Sequence, residues 1–240
     1  WLFSDMLAGG TPLFENRYEF NTGDDAERRY PGSYNMPLSL AYAALRPVGG
    51  RAFAWNMTLF LSLWLTHAFT WLLLRRWTGS HRLAALIAVA AFAFPSRWVM
   101  LFGGSPTGTA MAWIALLALG TAMAVDDDRP SGGWLAALAL LLAWLNDRHV
   151  FFFSFLALPG LILLFLLLRR PRPQPAPWKQ RLLALLPLVA AALVLGAVAA
   201  RSAVSGFAHT SLETGRAIEE VRKFSPFARG LVAWGGRGRD

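Results

Sequence analysis

One apolar run constrains the fold of this chain more than any other feature. From Trp134 to Leu168 the sequence is almost continuously apolar over 35 residues. A single helix of that length would measure about 52 Å, whereas the hydrocarbon core of a bilayer is about 30 Å thick. The one polar point within the run is residues 146–149, Asn-Asp-Arg-His. We therefore predict that the run breaks there into a short membrane span and a full-length one.

The other apolar segments predict four further spans, at about residues 52–74, 83–102, 107–125 and 182–200. The chain is 55% hydrophobic, 15% charged and free of cysteine. This composition excludes a single soluble core, a disordered chain, a disulfide-stapled domain, zinc fingers and thiol nucleophiles. We expect an all-α, polytopic integral membrane protein with about six transmembrane helices and additional helices in extracytoplasmic loops.

The charge distribution predicts the orientation of the spans. The net charge is +9, but the basic residues flank apolar runs, so we expect topology signals and no nucleic-acid partner. Alternating spans place the loops at 75–82, 126–132 and 169–181 on one side, and these loops contain most of the loop Lys and Arg residues. The positive-inside rule makes that side cytoplasmic.

Three regions follow from this orientation. Residues 1–50 form an extracytoplasmic loop, residues 51–203 a transmembrane helical domain, and residues 204–240 an extracytoplasmic segment. We expect the chain to be integral to a membrane that faces the cytoplasm, and the resemblance described below implies the bacterial inner membrane. The chain begins at Trp1 and ends at Asp240 in a polar tail, so we expect a fragment of a longer protein.

The N-terminal segment contains the first candidate site. It combines turn signals with acidic residues, among them Asp5, Asp24 and Asp25. Carboxylates at a membrane face can act as a general base or bind Mg²⁺ or Mn²⁺, although the sequence does not determine whether a metal is used. The alternative is a solvated turn between helices. The run 126–128 is also acidic, but it lies in a short turn on the opposite side, and we interpret it as a solvated cap.

The second candidate site consists of basic residues. Arg97 and Arg148 each follow a 13-residue apolar run that begins Leu-Ala-Ala-Leu. Half-helices of that length place both arginines near the outer interface, where they can bind a lipid phosphate; the alternative is snorkelling to headgroups. His149 is adjacent and is either an acid or base, a phosphate ligand, or an interfacial residue.

The order of several short motifs resembles the GT-C superfamily of polytopic membrane glycosyltransferases, in particular its uncharacterised bacterial branch. The motifs are Gly10-Thr11-Pro12-Leu13-Phe14, Tyr30-Pro31-Gly32, Pro37-Leu38, Ala54-Trp55-Asn56, residues 72–80, Ala84-Ala85-Leu86, Ala91-Phe92-Ala93-Phe94-Pro95 and residues 216–225. Each motif alone is weak, and the shared order is the stronger signal.

This resemblance implies an all-helical enzyme that takes a sugar from a polyprenyl-phosphate donor and transfers it to an extracytoplasmic acceptor. An acidic residue of the first outer loop would accept the acceptor's proton or hold a metal, and arginines would neutralise the departing phosphate. The family's own acidic residue would precede Trp1, so Asp5, Asp24 and Asp25 are substitutes for it. Two alternatives stay open: a transporter or lipid-handling protein, and a non-enzymatic assembly subunit. The sequence does not determine the oligomeric state.

Overall fold

A computed structural model describes residues 7–9, 35–91, 106–168 and 177–207 of the chain. Every regular element among these residues is an α-helix. The six helices are α1 (Met36–Thr78), α2 (His81–Ala91), α3 (Pro106–Asp126), α4 (Pro130–Asn146), α5 (Arg148–Leu167) and α6 (Trp178–Phe207). Within the described residues, α1, α3, α5 and α6 are long and apolar enough to cross a membrane. The prediction of an all-α polytopic membrane protein is confirmed.

The two shorter helices are those for which the sequence offers only 13-residue apolar runs. α2 has 11 residues and α4 has 17. At 1.5 Å per residue, α4 measures about 25 Å, which is less than the hydrocarbon core. The first of the long helices, α1, is interrupted at Gly50, whose φ of 78° and ψ of −175° are not helical. The last 15 residues of the predicted outer loop, 36–50, therefore belong to α1.

The long apolar run divides where its polar residues occur, as predicted. Asp147 adopts an extended conformation, with φ −150° and ψ 117°, between the end of α4 and the start of α5. Its backbone N–H donates to the carbonyl of Ala143 at 2.8 Å and closes α4. Its carboxylate accepts a hydrogen bond from the backbone N–H of His149 at 2.8 Å and caps α5.

Helix α3 lies at the centre of the fold. Inside the protein, 78% of its apolar stretch is buried, against 11–28% for the other three long helices. Glycines allow this packing, because a Cβ atom added to Gly120 of α3 would lie 2.5 Å from the backbone nitrogen of Ala136 in α4. On α4, a Cβ at Gly133 would overlap the carbonyl oxygen of Ala184 in α6. Close backbone approach at small residues is typical of helix packing in membranes.

The three loops that the sequence assigns to one side do meet at one end of the fold. Arg76, near the end of α1, forms an ion pair with Asp127 of the α3–α4 turn, with 2.8 Å between Nη2 and Oδ1. Arg181, near the start of α6, lies 3.8 Å from the carboxylate of Asp128 in the same turn. The grouping of these loops is confirmed by the contacts.

The acidic turn itself differs from its prediction as a solvated cap. Asp128 is only 1% exposed and adopts a left-handed conformation with φ 53°. In addition to its contact with Arg181, its backbone carbonyl accepts a hydrogen bond from Gln180 Nε2 at 3.3 Å. The solvated-cap interpretation is wrong for this residue, because basic and amide side chains from a distant helix cover it and compensate its burial.

The chain divides into two compact units, Trp1–Leu193 and Val194–Asp240. All side-chain contacts used below lie within the first unit. The described part of the second unit is the helical stretch 194–207.

Candidate functional site

A buried asparagine organises the break between α4 and α5. Asn146 is 0% exposed, and its side chain hydrogen-bonds to three of the described residues. Its Oδ1 accepts from the indole Nε1 of Trp113 at 3.0 Å. Its Nδ2 donates to Asn35 Oδ1 at 2.9 Å and to Thr109 Oγ1 at 3.3 Å. A buried amide is stable only when its donors and acceptors are used, and here three separate parts of the chain use them.

This network extends to the middle of α1. The hydroxyl of Ser62 donates to the backbone carbonyl of Thr109 at 2.8 Å, and Ser62 is fully buried. We call Asn35, Ser62, Thr109, Trp113 and Asn146 the polar cluster. It joins the residue before α1, the middle of α1, the start of α3 and the end of α4.

The polar cluster also determines the path of α1. Hydrogen bonds connect Asn35 to Ser62 through only two other residues, Asn146 and Thr109. A straight helix from residue 35 to residue 62 would be about 40 Å long. The chain must therefore reverse its direction between them, and the reversal lies at Gly50. That residue occupies a φ/ψ region that is essentially restricted to glycine. Residues 36–49 and 51–62 thus form two arms of a helical hairpin whose tip is exposed.

The depth of the break can be compared with the thickness of the membrane. If the basic residues at the end of α1 mark the cytoplasmic edge of the apolar layer, the break does not reach beyond the outer edge. Ser62 precedes Arg75 by 13 residues, about 20 Å along the helix, and α4 covers about 25 Å from its first residue to Asn146. Both lengths are shorter than the hydrocarbon thickness of about 30 Å, and a tilt of the helices shortens their projection further. By length alone, the break therefore lies between the outer edge of the apolar layer and a depth of about 10 Å.

Three ionisable residues occupy this break. Asp147 is 5% exposed, and its Oδ1 lies 3.2 Å from Nδ1 of His149 as well as accepting the His149 backbone N–H. The His149 side chain is 85% exposed. The guanidinium of Arg148 lies over the ring of Trp144, 5.3 Å from its centroid. Ionisable side chains within a membrane are costly and mark candidate functional sites.

The contact between Asp147 and His149 defines the state of the imidazole. An ionised carboxylate only accepts hydrogen bonds, so the contact favours a proton on Nδ1 of His149. The other ring nitrogen, Nε2, belongs to the exposed part of the side chain. The break thus presents one guanidinium and one imidazole nitrogen next to a buried carboxylate.

The structure brings together part of the site that the sequence predicts. Arg148 and His149 are neighbours at the start of α5, as expected. Asp5, Asp24, Asp25 and Arg97 lie outside the described residues, and so does most of the predicted segment 204–240. Among the described residues, no group of three or more His, Asp or Glu side chains could hold a metal ion.

Sequence reasoning missed two residues of the site. Asn146 was assigned only to the polar point that breaks the apolar run, yet it is the centre of the polar cluster. The sequence prediction uses Asp147 only as part of the polar point 146–149, yet this residue caps α5 and contacts the imidazole. A signal was present for Asp147, because Asp followed by a helix start is a typical N-cap.

No protein-family model, no curated protein and no solved structure matches this chain.

Proposed function

We propose that the chain is part of a GT-C-like membrane glycosyltransferase that transfers a sugar from a polyprenyl-phosphate donor to an extracytoplasmic acceptor. The observation that carries this proposal is the hydrogen bond of 2.9 Å between Asn35 and Asn146. Asn35 directly follows the acidic segment, and Asn146 directly precedes Asp147, Arg148 and His149. Asn35, the residue that follows segment 1–34 in the sequence, is therefore hydrogen-bonded next to the basic residues, which supports a shared site.

The basic residues suit the leaving group of such a reaction. When a sugar leaves a polyprenyl phosphate, negative charge develops on the phosphate oxygens. The Arg148 guanidinium can donate hydrogen bonds to those oxygens, and the His149 imidazole lies next to it. The backbone N–H groups at the start of α5 add positive potential at the same place. Arg97 would contribute from the loop on the same side.

The acidic residues suit the acceptor. Asp24 and Asp25 precede Asn35 by only eleven and ten residues, and Asp5 lies further towards the N-terminus. Two kinds of side chain can accept the proton of the acceptor hydroxyl: one of these carboxylates, and the imidazole at the break. The residues of the break add one carboxylate and one imidazole to these candidates.

The orientation follows from the same proposal. The break and Asn35 face the outside of the bacterial inner membrane, and the ion pairs of Asp127 and Asp128 face the cytoplasm. Residues 1–50 and 204–240 are then outside. The loops with most of the positive charge are inside, in agreement with the positive-inside rule.

The test is sugar transfer by membranes that contain the protein, with labelled polyprenyl-phosphate sugars as donors. We expect Arg148→Ala to weaken donor binding about tenfold or more, because a charge-assisted hydrogen bond is worth about 1.5–3 kcal/mol. The double variant with Arg97→Ala should bind the donor still more weakly. Arg82→Ala is the matched control, since Arg82 is an exposed arginine at the start of α2 near the other end of the fold.

The acidic loop is tested in the same assay. Asp24→Asn or Asp25→Asn should abolish transfer without changing donor affinity if that carboxylate is the base. Full activity of both variants would refute these residue assignments. An absence of transfer by the folded wild-type protein with every donor would refute the enzyme.

One observation favours a second function, the movement of an anionic lipid. Transporters often contain helices that break within the membrane, with charges at the break. The α4–α5 break, with Asp147, Arg148 and His149 at or below the outer edge, has this character. Proteoliposomes that accelerate the exchange of a polyprenyl phosphate between leaflets, but transfer no sugar, would establish this alternative. If the protein shows neither sugar transfer nor lipid exchange, the result favours a non-enzymatic assembly subunit.

A further inference from the structure

We propose that His149, held by Asp147, accepts the proton of the acceptor hydroxyl during sugar transfer. This inference rests on the proposed function and gives His149 a task other than phosphate binding. It also supplies a proton acceptor from the membrane domain itself, instead of from the acidic segment 1–34. Its basis is the geometry of the two side chains at the break.

The first argument is that the two nitrogens of the His149 imidazole have different surroundings. Nδ1 of His149 faces the Asp147 carboxylate at 3.2 Å, and that carboxylate is 5% exposed. The remaining ring edge, with Nε2, lies on a side chain that is 85% exposed. With the proton on Nδ1, the lone pair of Nε2 points away from Asp147 and is available to a ligand. A carboxylate that holds a histidine in this way also stabilises the imidazolium that forms after proton transfer.

The second argument is that the carboxylate is held in place independently of the imidazole. Asp147 Oδ1 also accepts the backbone N–H of His149 at 2.8 Å, so the carboxylate is fixed by the cap of α5. The preceding residue, Asn146, is fixed by the three hydrogen bonds of the polar cluster. The pair is therefore built on a rigid helix junction, as a proton-transferring group requires.

The third argument concerns the charges around the imidazole. Arg148 follows Asp147 directly and is the other charged residue described at this break. The described side chains of α1, α3 and α4 that hydrogen-bond in the polar cluster, Ser62, Thr109, Trp113 and Asn146, are neutral. A neutral imidazole next to a guanidinium is suited to accept a proton while the guanidinium attracts the phosphate.

The proposed step balances as follows. The acceptor oxygen forms a bond to the anomeric carbon of the donor sugar, and the bond between that carbon and the phosphate oxygen breaks. The electron pair of the broken bond leaves on the polyprenyl phosphate, next to Arg148. The proton of the acceptor hydroxyl moves to Nε2 of His149, which becomes an imidazolium paired with Asp147 and later returns the proton to water.

The experiment compares wild type, His149→Gln and Asp147→Asn in the same membranes, with Arg82→Ala as control. Glutamine retains the backbone N–H that caps α5, and it offers polar atoms but takes up no proton. We expect kcat of His149→Gln to fall by about 100-fold or more, the range for loss of a general base, with KM for the donor unchanged. Asp147→Asn should lower kcat by a smaller factor. The asparagine oxygen can still accept the backbone N–H of residue 149, but without a negative charge it stabilises the imidazolium less.

The pH dependence gives a readout that a structural role would not move. A general base acts only in its unprotonated form, so wild-type kcat should fall on the acid side of its pH profile. The fall of kcat at low pH should be absent in His149→Gln. Thermal unfolding of each variant confirms that the helix junction is intact.

The outcomes separate this inference from the function on which it rests. If wild type and His149→Gln transfer sugar at similar rates while Asp24→Asn or Asp25→Asn is inactive, the base lies in the acidic segment and only this inference is overturned. If His149→Gln raises KM for the donor and leaves kcat intact, His149 binds phosphate and the inference is again overturned. If the folded wild type transfers nothing, both proposals fall.

Discussion

Replacing Asn146 by leucine tests whether the polar cluster holds the helix junction together. The leucine side chain has the same number of heavy atoms and the same branching as asparagine, so the substitution removes hydrogen bonds without opening a cavity. It leaves the indole N–H of Trp113 and the side-chain oxygen of Asn35 without their present partner in a buried place. It also removes a weaker bond of 3.3 Å to Thr109.

The expected loss can be worked from these three bonds. A hydrogen bond between membrane helices contributes about 0.6 kcal/mol on average and about 1.7 kcal/mol at most. A buried donor without a partner costs about 1–3 kcal/mol. We therefore expect Asn146→Leu to lower the free energy of unfolding by about 2–4 kcal/mol. For a protein of this size, that corresponds to a fall of about 4–16 °C in Tm.

The assay is thermal unfolding of the detergent-solubilised protein, followed by the loss of its monodisperse peak. Asn56→Leu is the matched control, because Asn56 is exposed on α1, and we expect its Tm within about 2 °C of wild type. Thr109→Val removes the weaker bond and should fall between the two. If Asn146→Leu unfolds at the same temperature as Asn56→Leu, the cluster does not stabilise the junction and the argument from its hydrogen bonds is refuted.

Three further predictions concern the path of the chain. Gly133→Ala should destabilise the protein by about 1–3 kcal/mol because the added methyl group meets the backbone of α6. Gly160→Ala has open space around the added methyl group and should be neutral or slightly stabilising. The unfolding temperatures of the two variants check this prediction. Gly50→Ala should cost about 1–3 kcal/mol through backbone strain alone, since nothing lies within 4 Å of the added atom, and an unchanged Tm would contradict the hairpin turn. The chain contains no cysteine, so single cysteines report the topology. Val48→Cys at the exposed hairpin tip should react with an impermeant maleimide added outside intact cells, whereas Arg82→Cys should react only after lysis. The reverse pattern would show that the assigned orientation is wrong.

The positions of the helices could be predicted from the sequence because few physical constraints decide them. A backbone within a bilayer must satisfy its own hydrogen bonds, so each long apolar run becomes a helix. The polar residues 146–149 were the only place at which the run 134–168 could break, and the break is there. Proline and the acidic turn at 126–130 likewise set the end of α3 and the start of α4.

The contacts of the polar residues could not be predicted in the same way. Asn35 and Asn146 are 111 positions apart, and only the packing of α1, α3 and α4 brings them together. Asp128 looked like part of a solvated turn because its neighbours are charged. Its burial depends on Gln180 and Arg181, which come from a helix about fifty residues later in the chain.

The candidate site is a consequence of the length of α4. A helix of 17 residues is at the short limit for crossing a bilayer, so its polar end lies at or below the outer edge of the apolar layer. Asn146 is tolerated there because Trp113, Thr109 and Asn35 use its hydrogen-bonding groups. The same shortness leaves the start of α5 below the surface, where an arginine and a histidine are less screened by water and interact more strongly with a phosphate than they would outside. Lengthening α4 by one turn should therefore raise the site towards the interface and weaken its hold on an anionic lipid, even with Arg148 and His149 unchanged.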